Sequence, residues 1–145
     1  MNQPQDMKAV LSILLFFTLG LNNQQSVQTS TFKLNTFTKV PDDLMGCGDD
    51  YYLSKQDEKQ DKLICRTNYF VALIHVNNKA ILLKYNDKAS DKATHVFTAG
   101  AYDLLIKNGA LKREGDEDYT MTATITVNFH SKIVWTNRVV GGGGC

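Results

Sequence analysis

The sequence predicts an all-β domain, a small antiparallel barrel or sandwich of about seven or eight strands. The clearest sign is residues 119–129, where apolar side chains alternate with threonine or asparagine, as in a strand with one buried face. Pairs of turn-forming residues separate other apolar runs, and no stretch after residue 30 has the caps of a convincing amphipathic helix. At 145 residues and 43% hydrophobic, the chain suits one domain.

Residues 1–30 have the outline of a signal peptide that starts at Met7. Lys8 is followed by an apolar run over residues 9–21 and then by polar, uncharged residues. A run of about 13 residues fits the apolar part of a signal and is shorter than the roughly 20 residues of a membrane-spanning helix. We therefore expect a secreted or periplasmic protein of the cell envelope, without a transmembrane segment after cleavage. A buried first helix is the alternative.

Three segments follow from this organisation. Residues 1–30 form the signal peptide, with an uncertain cleavage site between residues 20 and 30. Residues 31–140 form a single β domain. Residues 141–145, GGGGC, form a flexible glycine-rich tail that ends in a cysteine, because a run of four glycines has the greatest backbone freedom available.

The strand candidates before residue 100 differ in strength. The weaker ones are residues 31–40 (TFKLNTFTKV), 49–55 (DDYYLSK) and 62–68 (KLICRTN). Residues 69–86 indicate two strands that are joined at Asn77 and Asn78, since asparagine tolerates the left-handed backbone of a tight hairpin turn. Both of these strands are apolar on both faces over part of their length, which favours central positions.

Two further hairpins are predicted towards the end of the domain. Asn108-Gly109 is the strongest short turn signal in the chain and predicts one of them. The other joins residues 119–129 to residues 132–140. We expect a three-residue loop, because it keeps the second strand's apolar residues on the core face, whereas a two-residue loop would put Arg138 there. The pairs expected from that loop are Phe129 with Ile133 and Val127 with Trp135, with Val139 also facing the core.

The three cysteines, Cys47, Cys65 and Cys145, are the disulfide candidates, and an exported protein normally oxidises two of them. Cys47 and Cys65 flank an acidic loop and could pair across it. Alternatively, the glycine run lets Cys145 reach back to either partner and staple the last strand. If Cys145 stays free, it can join another chain as a covalent dimer.

Composition and motifs exclude several functions. Lys and Arg number 16 against 15 Asp and Glu, and they do not cluster, so nucleic acid is not an expected partner. The recurrent enzyme motifs are absent. His75, His95 and His130 lack metal-ligand spacing, and the acidic loops match no calcium loop, so we predict no metal, no cofactor and no catalytic residue.

The stretch AGAYD, residues 99–103, is similar to the Ser-Gly-x-x-Tyr loop of the bacterial inhibitors of C-type lysozyme. Ala99 stands where that loop has serine, Tyr102 comes one residue early, and no Trp-x-Lys-Gly follows. The similarity covers about five residues, so the sequence is assigned to no family.

The best interpretation is an exported, non-enzymatic protein that binds an unknown protein or small molecule through loops at one end of the β domain. The candidate ligand-binding residues combine carboxylates, aromatics and a histidine in the loops: Asp49, Asp50, Tyr51, His95, Tyr102, Asp116 and Asp118. One alternative is a hydrolase or metal-dependent enzyme that uses the loop carboxylates and His95. Others are a disulfide-linked structural subunit and an inhibitor of an extracellular enzyme.

Overall fold

Nine strands, one short helix and one 3₁₀ turn form residues 31–145, the part of the chain that the computed structural model describes. The strands are β1 (Leu34–Asn35), β2 (Gly48–Tyr52), β3 (Leu63–Thr67), β4 (Val71–Val76), β5 (Lys79–Tyr85), β6 (Thr94–Ala99), β7 (Tyr102–Arg113), β8 (Tyr119–Phe129) and β9 (Lys132–Gly144). The 3₁₀ turn is Asp42–Leu44 and the helix, α1, is Lys55–Lys59. The predicted signal peptide lies outside the described residues.

Eight of the strands close into an antiparallel barrel in the order β4, β3, β2, β9, β8, β7, β6, β5 and back to β4. The all-β prediction is confirmed, and the architecture is a barrel rather than a sandwich. β1 is an additional strand that pairs with the second half of β4, beyond the stretch where β3 pairs with it. Closure leaves every barrel strand with a neighbour on each side.

The core fills the barrel with the inward-facing residues of the alternating pattern. On β8, the buried side chains are Met121, Ala123, Ile125 and Val127, and the threonines between them face outwards. β4 and β5 contribute Ile74 and Leu83, both fully buried. No helix within residues 31–145 is long and apolar enough to cross a membrane.

The hairpin turn predicted at Asn77-Asn78 is confirmed. The two residues join β4 to β5 with φ angles of +49° and +63°, and the flanking residues Val76 and Lys79 form the last pair of the ladder. Asparagine occupies this left-handed region with little strain, so the local signal and the tertiary pairing agree.

The hairpin turn predicted at Asn108-Gly109 is wrong. Both residues lie inside β7, at a bulge in its pairing with β8, and the strand continues to Arg113. The actual turn into β7 is at Gly100, whose φ of +57° places it in the left-handed region. A continuous twelve-residue strand that pairs with β8 outweighs the local preference of an Asn-Gly pair, which a bulge also accommodates.

The predicted three-residue loop between β8 and β9 is also wrong. The loop is the two residues His130 and Ser131, both with positive φ, and Phe129 pairs with Lys132. A bulge then shifts the register, so that the predicted pair of Val127 and Trp135 still forms. The bulge also returns Val139 to the core.

In this register, one residue of β9 that was predicted to face the core faces solvent instead. Ile133 pairs with Asn128 and is 69% exposed rather than buried. A one-residue bulge moves the side chains that follow it to the opposite face of the strand. A single pattern of alternating buried and exposed residues therefore cannot hold on both sides of the bulge. Arg138 stays exposed, as the prediction required.

The glycine-rich tail is not flexible, contrary to the prediction. Residues 141–144 are the last four residues of β9, and they pair with β2 on one side and with β8 on the other. Backbone pairing on both edges supplies the order that the glycine side chains cannot, so a tertiary interaction overrides the local freedom of the segment.

Candidate functional site

A cavity of about 630 Å³ opens at one end of the barrel. Because neighbouring strands are antiparallel, the starts of β2, β4, β6 and β8 meet the ends of β3, β5, β7 and β9 at this end. The cavity is lined by Gly48, Asp49, Tyr51, Thr67, Asn68, Tyr69, Tyr85, His95, Phe97, Ile106, Asn108, Arg113, Asp116, Glu117, Tyr119, Gly144 and Cys145. The barrel therefore brings together residues that lie up to 97 positions apart, from Gly48 to Cys145.

A carboxylate and two phenols form a hydrogen-bonded group in the cavity wall. The hydroxyl groups of Tyr51 and Tyr119 both donate to the carboxylate of Asp49, Tyr51 over 3.4 Å. Burial and the neighbouring Asp49 charge raise the pKa of Tyr51, and burial and the hydrogen bond to Asp49 raise the pKa of Tyr119. Both phenols therefore remain protonated donors at neutral pH.

Gly143 makes this group possible. It pairs with Asp49 on β2 and with Tyr119 on β8, so the three residues form one row across neighbouring strands. A Cβ on Gly143 would lie 2.7 Å from the Tyr119 hydroxyl and would also collide with the Asp49 carboxylate. The absence of a side chain thus leaves the space in which the carboxylate and the phenol meet.

Asn108 is a lining residue whose side-chain oxygen is buried without a hydrogen-bond partner. It sits at the β7 bulge and pairs with the buried Ala123 of β8, which places it on the core face. Within residues 31–145, the buried side-chain oxygens or nitrogens without a hydrogen-bond partner are the Oδ1 atoms of Asn108 and Asn128.

Aromatic rings form much of the remaining wall. Tyr85 packs edge-on against Phe97 with 5.4 Å between ring centroids, and it also contacts the His95 ring at 6.1 Å. Phe97 and Ile106 are almost fully buried. The lining is therefore divided about evenly between aromatic or apolar surface and polar groups.

The rim is built from two turns. In the β3–β4 turn, the Oδ1 atom of Asn68 accepts hydrogen bonds of 2.8 Å from the backbone N–H groups of Phe70 and Val71. This fixed turn presents Tyr69 and Phe70 to solvent, at 66% and 76% exposure. The β7–β8 turn contributes the exposed charged residues of the rim, Arg113, Asp116 and Glu117.

A disulfide bond joins Cys47 to Cys145 at the same end of the barrel. Because Gly48 pairs with Gly144, this bond extends the β2–β9 ladder by one position, with 5.2 Å between the two Cα atoms. Of the pairings left open by the sequence, the structure has the one that staples the last strand, and it does not have the pair of Cys47 with Cys65.

Cys65 is the free cysteine among the described residues, and it is fully buried. Its side chain lies in the core, where β3 pairs Cys65 with Tyr51 of β2. Burial raises the pKa of the Cys65 thiol, so the thiolate is strongly disfavoured. Cys65 thus behaves as a small apolar core residue.

Four of the seven predicted ligand-binding residues line the cavity: Asp49, Tyr51, His95 and Asp116. They come from β2, from the start of β6 and from the β7–β8 turn. The barrel therefore brings these four residues together from three separate segments of the chain.

The other three predicted residues lie elsewhere. Asp50 faces out of the barrel and forms an ion pair of 2.7 Å with Arg66. Tyr102 begins β7 and packs against Phe129 at 4.7 Å between ring centroids, at the opposite end of the barrel. Asp118 lines a shallow outer groove over the glycines of β9. Neighbouring residues of a strand face opposite sides, so Asp49 points into the barrel and Asp50 out of it. For Tyr102, the sequence alone does not show at which end of the barrel the residue lies.

Sequence reasoning did not identify several lining residues: Asn108, Tyr119, Tyr85, Phe97 and Tyr69. It also missed Gly143, which leaves the space in which Asp49 and Tyr119 meet. Most of them lie within strands and look like ordinary core or surface positions. Two signals were available. The glycine run marks a strand that lets its neighbours' side chains meet, and an Asn-Gly pair inside a long strand can mark a bulge.

Within residues 31–145, no group of three or more His, Cys, Asp or Glu side chains is arranged to hold a metal ion. No protein-family model matches the sequence, and no curated protein and no solved structure is significantly similar to it.

Proposed function

We propose that this protein is an exported binding protein that holds a small molecule in the cavity at the open end of its barrel. The observation that carries the proposal is the cavity of about 630 Å³, whose wall combines aromatic side chains with the Asp49 carboxylate. Small-molecule sites are typically concave and roughly 300–1,000 Å³ in volume, with a few polar groups that orient the ligand.

The closed barrel supports binding because it forms the site before a ligand arrives. β2 and β9 are paired over five residues and joined by the disulfide, so the wall that carries Asp49 is fixed. Gly143 and the tyrosine hydroxyls hold the carboxylate in one position. A site that is ordered beforehand loses less conformational entropy on binding.

The chemistry of the cavity favours binding over catalysis. Tyr51 and Tyr119 have raised pKa values, which suits hydrogen-bond donors rather than bases. The Cys65 thiol is buried in the core and has a raised pKa, which disfavours it as a nucleophile. The His95 ring packs against Tyr85, an aromatic partner rather than the carboxylate that orients a catalytic histidine.

The disulfide supports export of the protein and argues against a covalent dimer. Stable disulfides are typical of proteins in oxidising compartments, and the predicted signal peptide over residues 1–30 would direct the chain to such a compartment. The bond within the chain occupies Cys145, the thiol that a covalent dimer would use. The proposal is therefore a non-covalent binding protein rather than a disulfide-linked subunit.

A thermal-shift screen of small aromatic and polar compounds tests the binding role. The full chain, with its disulfide formed, is compared with Phe97→Trp, which fills the cavity, and with Tyr102→Trp, which enlarges an aromatic residue at the opposite end. We expect compounds that raise the Tm of the original protein and of Tyr102→Trp but not of Phe97→Trp. Compounds that stabilise all three proteins equally, or none at all, would contradict a cavity site.

Export is tested by intact mass, measured with and without reductant on protein recovered from its own host. We expect a chain cleaved between residues 20 and 30 that gains two hydrogens on reduction. An uncleaved chain, or one whose cysteines are all reduced in the host, would contradict the exported state.

A further inference from the structure

The proposed binding function leads to a ligand class: we propose that the cavity takes a small organic cation, an ammonium group on an aromatic or apolar body. Two properties of the lining point to this class together. They are an excess of carboxylates and a set of aromatic side chains.

The charges of the lining favour a positive ligand. Asp49, Asp116 and Glu117 are lining residues, and Arg113 is the cationic side chain that accompanies them. The carboxylate of Asp49 is in the wall and accepts from two phenols, while Asp116 and Glu117 are exposed at the rim. A carboxylate that accepts two hydrogen bonds still has lone pairs for a third donor.

The aromatic rings provide the second feature. Tyr51, Tyr69, Tyr85, Phe97 and Tyr119 all line the cavity. The faces of such rings attract a cation through their quadrupole, and they also pack against an apolar body. Aromatic rings beside a carboxylate therefore suit an organic cation better than an anion, which the carboxylates would repel.

Isothermal titration calorimetry with three probes of similar shape tests the inference. The probes are naphthylethylammonium, naphthylethanol and naphthylacetate, which are cationic, neutral and anionic. For the full chain with its disulfide formed, we expect the cation to bind about tenfold more tightly than the alcohol, since hydrogen bonds to charged groups are the stronger ones, and the anion to bind least.

A pair of aspartate variants locates the effect. Asp49→Asn removes the charge of the carboxylate in the cavity wall and is expected to weaken binding of the cation about fivefold to tenfold. Asp103→Asn removes a carboxylate of β7 near the opposite end, which is not a lining residue, and should leave the affinity unchanged. The thermal unfolding of both variants checks that they fold.

The outcomes separate this inference from the proposed function. If the alcohol or the anion binds as tightly as the cation, and Phe97→Trp abolishes that binding, the cavity binds ligands but the cation class is wrong. If the cation does not bind while compounds in the thermal-shift screen do, the cation class is again wrong. If nothing binds in either experiment, the binding function itself is contradicted.

Discussion

Tyr119 on β8 donates a hydrogen bond to Asp49 on β2, although β9 lies between these two strands. The contact passes over Gly143, which pairs with both residues and has no side chain to separate them. A glycine-rich strand is usually a weak element of a sheet, because glycine packs little and is flexible when unfolded. Here it fixes two side chains of the cavity wall.

Gly143→Ala should therefore destabilise the protein and disturb the Asp49–Tyr119 contact. A Cβ at this position collides with the Asp49 carboxylate and the Tyr119 hydroxyl, and overpacking of this kind costs about 1–3 kcal/mol. Urea unfolding measures the loss. Gly115→Ala is the control, since nothing lies within 4 Å of a Cβ there, and its stability should stay within about 0.5 kcal/mol. Equal effects of the two substitutions would show that Gly143 is not a special position.

Removing the disulfide should cost a large share of the stability. The bond closes a loop with a sequence separation of 98, for which chain-entropy reasoning gives roughly 4–5 kcal/mol. Urea unfolding of Cys47→Ser/Cys145→Ser measures this loss directly. The stability of Cys65→Ala, which lacks only the buried free thiol, should still fall on addition of reductant, whereas the stability of the double variant should not change. A double variant that unfolds like the original protein would mean that backbone pairing alone holds β9 in place.

Breaking the ion pair of Arg66 should destabilise the segment that leads to Cys47. Arg66 is buried, bonds to Asp50 at 2.7 Å and donates to the backbone oxygens of Leu44 and Gly46. Arg66→Met leaves these acceptors unpaired, and we expect a loss of roughly 2–4 kcal/mol, since Asp50 is partly exposed.

The control for Arg66 is an ion pair on the surface. Lys112 and Glu114 are 3.2 Å apart with 78% and 44% of their side chains exposed, so Lys112→Met should lower the urea midpoint far less than Arg66→Met. If the two methionine variants unfold at the same urea concentration, the hydrogen bonds of Arg66 contribute little.

His75 should make the fold less stable in mild acid. Burial lowers the pKa of His75 below 6.5, and its ring stacks on Phe37 with 4.5 Å between centroids. Below pH 6.5 the unfolded chain takes up a proton that the folded chain resists, so stability is complete above this pH and falls as the pH drops towards the folded pKa. Between pH 7.5 and 5.5, the urea midpoint should therefore fall further for the original protein than for His75→Phe.

A second histidine shows whether this effect is local. His130 is exposed in the β8–β9 turn, where asparagine tolerates the positive φ, so His130→Asn should keep the pH dependence of the original protein. Loss of the dependence in His130→Asn, or its persistence in His75→Phe, would assign it to another group.

The strands could be predicted from the sequence wherever alternation and turn chemistry agree. The strict alternation of residues 119–129 gave β8, and Asn77-Asn78 gave the β4–β5 turn. Where one signal stood alone, it was less reliable. Asn108-Gly109 has the composition of a turn, but β8 continues opposite it, and the pair became a bulge.

The site was less predictable because it depends on pairing between distant strands. Asp49, Tyr51, His95 and Asp116 were recognised as polar or aromatic loop residues, but only closure of the barrel shows that they share one cavity. The glycine run was predicted to be a flexible tail because glycine has great backbone freedom. Its role as a strand depends on the pairing with β2 and β8 on its two sides, which a single sequence does not reveal.

The most direct test of the binding site is an NMR titration of the full, oxidised chain with naphthylethylammonium. We predict that the amide shifts that move most belong to the cavity wall, at Asp49, Phe97, Asn108 and Tyr119, and that those of Tyr102 and Phe129 at the opposite end stay in place. Shifts that move at the opposite end or along the outer groove instead, with the cavity amides unchanged, would contradict the site.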